Sequence, residues 1–315
     1  MDIVGEYMKD IKVIFMGTPL FSVAALESLI DKCNVIAVVT QPDKGNSNFS
    51  PVKKVALKNN INLLQPINIK NDYKDIIKLK PDIIITCAYG QIIPKELLSE
   101  PKFGCVNIHA SLLPKLRGGA PIHRAIMAGY SKTGITIMYM SEKMDAGDII
   151  SQVEIEISDT DDVKTLHNRL SFLGRDLIID TLPDIISGNI NPIKQDESDV
   201  TYAWNIKRED EKINFDKHKK EIYNKVRGLN PWPGAYCIYE GKICKVYSSK
   251  IGENYFNEGI NGQIVKIYTD GIGIKVANGE IIFTEIQLEG KRKMSVKDFL
   301  NGVQDKEKLI GKVLE

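Results

Sequence analysis

The sequence predicts a doubly wound, mostly parallel α/β sheet of Rossmann-like character, followed by a small OB-like β-barrel. Three observations carry this expectation. The first half alternates continuous apolar runs of strand length with amphipathic helical stretches, as in a parallel sheet covered by helices on both faces. The last hundred residues hold short alternating strands separated by Glu240-Gly241, Asp270-Gly271 and Asn278-Gly279 turns. Between them lies the polar, proline-bearing NINPIKQDESDVTYAWNIKREDEKINF. The expected division is a first domain over 8–190, a linker over 191–210 and a second domain over 211–315.

In chain order, IKVIFM (11–16) is the first strand, and LFSVAALESLI after it has helical periodicity. The turn between them, GTPLFS, lacks G-x-G-x-x-G, which disfavours a nicotinamide or flavin. VIAVVT (35–40) is the second strand, and a Pro/Gly/Asn/Ser loop leads from it to a helix beginning near Pro51. INLLQP, DIIITCAYG (82–90) and CVNIH supply further strands, with NDYKDIIKLK a helix among them. PIHRAIMAG (121–129) reads as a helix, TGITIMYM (133–140) as a strand, and 162–188 as an amphipathic helix on which His167 reads as a helix-surface or packing residue rather than a catalytic one. The second domain opens with the helix FDKHKKEIYNKVRGL and ends with the basic KRKMSVKDFLNG. Trp232, between two prolines, reads as a rigid core anchor.

The 315 residues are 43% hydrophobic and 26% charged, ordinary for a globular chain of two domains. No apolar run approaches the ~20 residues that span a bilayer, and the short acidic start MDIVGEYMKD resembles neither a signal nor a transit peptide. Residues 1–10 read as an extension, with Met8 an alternative start. The five cysteines lie mostly in apolar runs with no C-x-x-C pair, so buried reduced thiols in a cytoplasmic protein are expected, and no metal. Residues 205–315 carry 20 Lys and Arg against 16 Asp and Glu, compatible with a nucleic-acid partner, although from charge alone a solvated surface is the better reading.

The chemistry concentrates in GCVNIHASLLPKLRGGAP (104–121). Asn107 and His109 lie one alternation apart, so both leave the strand end on one face. A carboxamide donates to a developing oxyanion, and an imidazole exchanges protons near neutral pH. A turn-capping asparagine beside a satisfied histidine is the plainer alternative. Leu112, Leu113 and Pro114 form an apolar turn whose backbone groups are expected to read a flat heteroaromatic ligand. Ser111 lacks the G-x-S-x-G context of a nucleophile. In MDAGDI, Asp145 and Asp148 compete on pattern alone, because an aspartate beside glycine usually bonds its own turn.

NIHASLLPKLRGGAPI resembles the signature of the folate-dependent formyltransferases, whose Asn-x-His is followed by Ser-Leu-Leu-Pro, Arg-Gly and a later aspartate. The resemblance implies that Asn107 and His109 stabilise a tetrahedral oxyanion and that Asp145, rather than Asp148, orients His109 and relays a proton. It implies 10-formyltetrahydrofolate as co-substrate without a metal, held by Ser111, Leu112, Leu113 and Pro114 and by a second wall of Tyr89, Gly90, Gln91 and Ile92. NPWPGA and VTYAWNIKREDEKINF resemble the C-terminal part of those members that act on initiator Met-tRNA, which implies translation initiation and a tRNA-binding second domain. A monomer is expected. The family's longer basic loop is reduced here to KGNSNF, so Lys44, Lys53, Lys54 and Arg117 are the candidate nucleic-acid contacts. Two other readings share parts of the pattern: a formyltransferase acting on an amino sugar or glycinamide ribotide, and a non-catalytic RNA-binding protein.

Overall fold

The computed structural model describes residues 8–43, 45 and 49–315. It divides into two compact units, one of residues 1–121, 132–156 and 167–204, the other of 122–131, 157–166 and 205–315.

The first unit is built on β1 (Lys12–Gly17), β2 (Asn34–Val39), β3 (Asn62–Leu64), β4 (Ile83–Cys87), β5 (Cys105–His109), β6 (Lys132–Tyr139) and β7 (Ile149–Glu156). Their order in the sheet is β3-β2-β1-β4-β5-β6-β7. The strand order reverses between β1 and β4, which run parallel, so the carboxyl ends of β1, β4 and β5 open on one edge, where such sheets bind ligands. β6 and β7 return antiparallel. Central strands are unalternated because both faces are covered; β4 is buried at every position. β7, at the edge, alternates instead, with Glu154 and Glu156 turned to solvent.

The helices of this unit are α1 (Val23–Lys32), α2 (Pro51–Lys58), the short α3 (Ile69–Asp72), α4 (Lys74–Ile77) and α5 (Lys95–Leu98), and α7 (Val163–Ser187) from His167 on; α6 (Pro121–Met127) falls from Ile122 on in the second unit. α2 starts where the sequence puts it: Ser50 caps it by accepting from the Lys53 amide at 3.1 Å, and Pro51 stands at the first helical position. Gly174 lets α7 close onto β5, since an added Cβ would lie 2.9 Å from Cγ2 of Ile108, between Asn107 and His109. His167 packs on Phe21 edge to face, and burial lowers its pKa.

The second unit carries α8 (Arg208–Glu211), α9 (Lys219–Gly228), strands β8 (Ala235–Tyr239), β9 (Lys242–Ile251), β10 (Ile264–Ile267), β11 (Ile272–Val276), β12 (Gly279–Leu288) and β13 (Met294–Ser295), and α10 (Val296–Asn301). The antiparallel order is β10-β11-β12-β9-β8. The last residues bridge its two edges. Leu314 N donates to Gly262 O at 2.9 Å and Ile264 N to Lys312 O at 2.8 Å, while Glu315 and Ile238 exchange both backbone bonds. Both sheet edges are thereby hydrogen-bonded, the closure that a small barrel needs. Leu314 also enters the core with Ile264, Ile274 and Phe283. Leu314→Ala should therefore cost about 2–3 kcal/mol, read as a lowered midpoint for unfolding of this domain; an unchanged midpoint would show that the closure contributes little.

Trp232 departs from expectation. It is 43% exposed, and His123 lies edge to face beside it. Cis prolines on both sides define its backbone without burying the indole. Among the described residues no helix is long and apolar enough to cross a membrane, and no group of three or more His, Cys, Asp or Glu could hold a metal ion.

Candidate active site

β5 ends at the site. Asn107 pairs with Thr86 of β4 and His109 with Thr136 of β6, so strand registry places both side chains on one face. The buried Thr86 hydroxyl donates to Asn107 Oδ1 at 2.8 Å. That bond turns the carboxamide so that Nδ2, which has no acceptor among the described residues, points away from Thr86.

His109 is 6% exposed, with Nε2 3.1 Å from the Leu116 carbonyl. A carbonyl only accepts, so Nε2 carries the hydrogen and Nδ1 is the position left to exchange a proton. The Leu116 carbonyl is aimed by a left-handed backbone (φ +61°), and its amide donates to Thr201 Oγ1 at 2.9 Å.

Asp145 lies on the turn after β6, with Oδ2 3.7 Å from His109 Nδ1. That is beyond a direct hydrogen bond and within reach of electrostatic attraction or of one bridging water. The same oxygen accepts from the Gly118 amide at 2.8 Å. Asp145 is itself left-handed (φ +48°). Gly147 lets the turn approach β6 closely, because an added Cβ would overlap the Tyr139 carbonyl oxygen. Asp148 differs: its carbonyl takes the Tyr139 amide at 2.9 Å, continuing the ladder.

The turn at 111–114 is less available than expected. Thr136 Oγ1 donates to Ser111 O at 2.6 Å and accepts from Leu113 N at 3.1 Å. Gln152 Nε2 donates to Leu113 O at 2.8 Å, and Ser111 Oγ donates to Lys115 O at 2.7 Å. These backbone groups are spent on the fold, leaving the partly exposed faces of Leu112 and Pro114 as its contact surface.

Ile92 is 65% exposed while Tyr89 is buried, its carbonyl accepting from Gln41 Nε2 at 3.0 Å and Thr18 Oγ1 at 3.2 Å. Burial, with Asp72 second, pushes the Tyr89 phenol up to about 12. Gly90 takes φ +89°, and Gln91 Oε1 accepts from the Ile69 amide at 2.9 Å. Thr86, Thr136, Gln152, Gln41 and Gln195 all support the site and were not singled out by the sequence pattern. For Thr86 and Thr136 a polar residue inside a buried strand was the signal available; Gln195, in the polar stretch after the sheet, carried none.

The candidate nucleic-acid contacts separate. Lys54 is exposed. Lys53 is committed to Asp43 and to Gln65 Oε1 at 2.9 Å. Arg117 is 2% exposed, with its guanidinium on Glu197 at 3.0 Å and Gln195 at 2.9 Å, so it is a structural residue and no surface contact. Lys44 lies outside the described residues. All five cysteines are buried and unbridged; burial pushes the Cys87 and Cys105 thiols up to about 12, which leaves them inert as nucleophiles.

Residues 9–182 match the family model described as formyl transferase, and residues 205–304 match that of the formyl transferase C-terminal domain. A curated relative, the methionyl-tRNA formyltransferase of Bacillus velezensis, is 50% identical over 303 residues, covering 92% of this chain and 94% of its own. Among solved structures, an N-formyltransferase from Helicobacter canadensis in complex with folinic acid and dTDP-3-aminofucose aligns with TM-score 0.64 at 23% identity, covering 87% of this chain and 98% of that one. HypX from Aquifex aeolicus in complex with tetrahydrofolic acid aligns with TM-score 0.63 at 17% identity, covering 92% of this chain and 48% of that one. At those identities the structural likeness speaks to fold alone.

Proposed function

The chain belongs to the formyltransferase family, among its methionyl-tRNA formyltransferases, and from that premise we propose that it moves the formyl group of 10-formyltetrahydrofolate onto the α-amine of methionine carried by initiator tRNA. The observation that carries the reading is that Asn107 and His109 share one face of β5, with Asp145 Oδ2 3.7 Å from His109 Nδ1.

The amine attacks the formyl carbon, whose oxygen becomes an oxyanion. Asn107 Nδ2, turned outward by Thr86, and His109 Nδ1–H are the proposed donors to that oxygen. The new carbon–nitrogen bond forms first, giving the tetrahedral intermediate, and the bond to folate N10 breaks as that intermediate collapses. Neutral Nδ1 of His109, with Asp145 beside it, first takes the proton of the ammonium; as Nδ1–H it then faces the oxyanion and returns that proton to N10 as the product folate departs. No covalent enzyme intermediate is required. Leu112 and Pro114, with Ile92 and Gly90 opposite, are the proposed walls for the flat ring of the folate. Tyr89, Gln91, Ser111 and Leu113 shape those walls from behind.

The catalytic domain is proposed to span residues 8–190, with 211–315 binding tRNA, in a monomer working in the cytoplasm. Phosphate contacts are assigned to Lys44, Lys54 and the basic surface of the second domain; Lys53 and Arg117 are already paired. So few contacts release few counterions, and the log–log salt slope of tRNA affinity is expected near −2 to −3, roughly. A slope of a many-contact binder, steeper than about −6, would refute this assignment.

The functional test offers 10-formyltetrahydrofolate with charged initiator Met-tRNA and small amines side by side. Formyl product on the tRNA supports the proposal. Turnover of a small amine alone would keep the chemistry and overturn the acceptor.

A further inference from the structure

We propose that Gln195 is a positioning residue for the transfer step, fixing the Asp145 turn against His109 from the segment that follows the α/β sheet. This rests on the formyl-transfer reading above. Gln195 Nε2 donates to two carbonyls of the catalytic turn, Asp145 O and Gly147 O, each at 2.8 Å. Its Oε1 accepts from Arg117 Nε at 2.9 Å. One carboxamide thus joins the turn carrying Asp145 to the loop that leaves β5.

The opposite side of the acid–base pair is tied to the same segment. Leu116, whose carbonyl receives His109 Nε2, is held by Thr201 Oγ1, and Arg117 exchanges backbone bonds with Thr201 and Ala203 at 2.9 and 2.7 Å. Asp145 and Leu116 both adopt left-handed backbones that non-glycine residues avoid unless the surroundings impose them. Residues 195–203 impose both. The stretch expected to be a passive linker is therefore a strap that sets the 3.7 Å separation of His109 Nδ1 and Asp145 Oδ2. Arg117 braces it: its buried guanidinium also bonds Glu197, two residues further along the strap.

A residue that only fastened the strap would lower stability or substrate affinity. A positioning residue lowers the rate of the bound complex and acts through Asp145. Gln195→Leu, which keeps the size and removes the donor and the acceptor, is expected to reduce kcat by up to about 100-fold, as misplacement of a catalytic group does. KM for the folate and for Met-tRNA should stay within about twofold, and in an Asp145→Asn background the same change should cost less than about twofold further. Gln195→Glu keeps the acceptor for Arg117 but sets a carboxylate against two carbonyls; it should show the same split and serves if the leucine variant does not fold. A kcat within twofold of wild type, a loss confined to KM, or an undiminished loss in the Asp145→Asn background would each overturn the proposal. If the wild-type chain formylates only a small amine, the acceptor assignment falls, and the same comparison on that reaction still decides the role of Gln195.

Discussion

His109→Gln is expected to fold and to be nearly inactive, with kcat for formyl transfer lowered by about 10²–10⁴, the usual range for loss of a positioned acid–base group. The choice of glutamine follows from the two ring nitrogens having separate tasks. Nε2 donates to the Leu116 carbonyl, a structural bond inside a site only 6% exposed at the histidine. A glutamine Nε2 reaches nearly the same place and preserves that bond. Nothing titratable then remains at the Nδ1 position beside Asp145, so the proton of the attacking amine has no acceptor. His109→Ala removes both tasks, leaving Leu116 O without its donor and opening a cavity, and should lose stability as well as rate. Comparison of the two variants separates catalysis from packing. If His109→Gln kept more than a tenth of wild-type kcat, the imidazole would be structural, and proton transfer would have to pass through Asp145 or solvent alone.

What the sequence made legible followed from local periodicity. Two residues apart on a strand means one face, and Asn107 and His109 do share a face next to Thr86 and Thr136. Unalternated apolar runs meant covered strands, and β4 is buried throughout. What pattern could not supply was pairing between distant segments. Arg117 looks like a loop cation until Glu197, eighty residues away, takes its guanidinium. The Leu112-Leu113-Pro114 turn looks open until Thr136 and Gln152, on β6 and β7, occupy its backbone groups. Asp145 and Asp148 are equivalent in a turn read alone; the Gly118 amide and the His109 ring, both from another segment, distinguish them. The closing residues Lys312–Glu315 carry no strand signature, because their pairing is dictated by the two sheet edges that they join. Trp232 shows the opposite failure: flanking prolines restrict a backbone but do not determine which side of it meets water.

The second large effect is expected at Asn107, and its size depends on which end of the carboxamide meets the substrate. Because Thr86 Oγ1 donates to Oδ1, the amino group is presented outward without any cost of reorientation when charge develops. Asn107→Ala should lower kcat by about 10²–10³, the loss seen when one preorganised oxyanion donor is removed, with little change in KM. Asn107→Asp is the sharper test. It keeps the shape and the Thr86 bond but turns a donor into an anionic acceptor facing the oxyanion, so its kcat should fall at least as far as that of the alanine variant. Thr86→Val leaves Asn107 in place and frees its amide to rotate; one lost hydrogen bond corresponds to a loss of about tenfold or less. The expected ranking is therefore wild type, Thr86→Val, Asn107→Ala, Asn107→Asp. An aspartate variant more active than the alanine variant would mean that Asn107 contributes shape rather than a donor, and the oxyanion would then have to be held by His109 Nδ1–H without a second side chain.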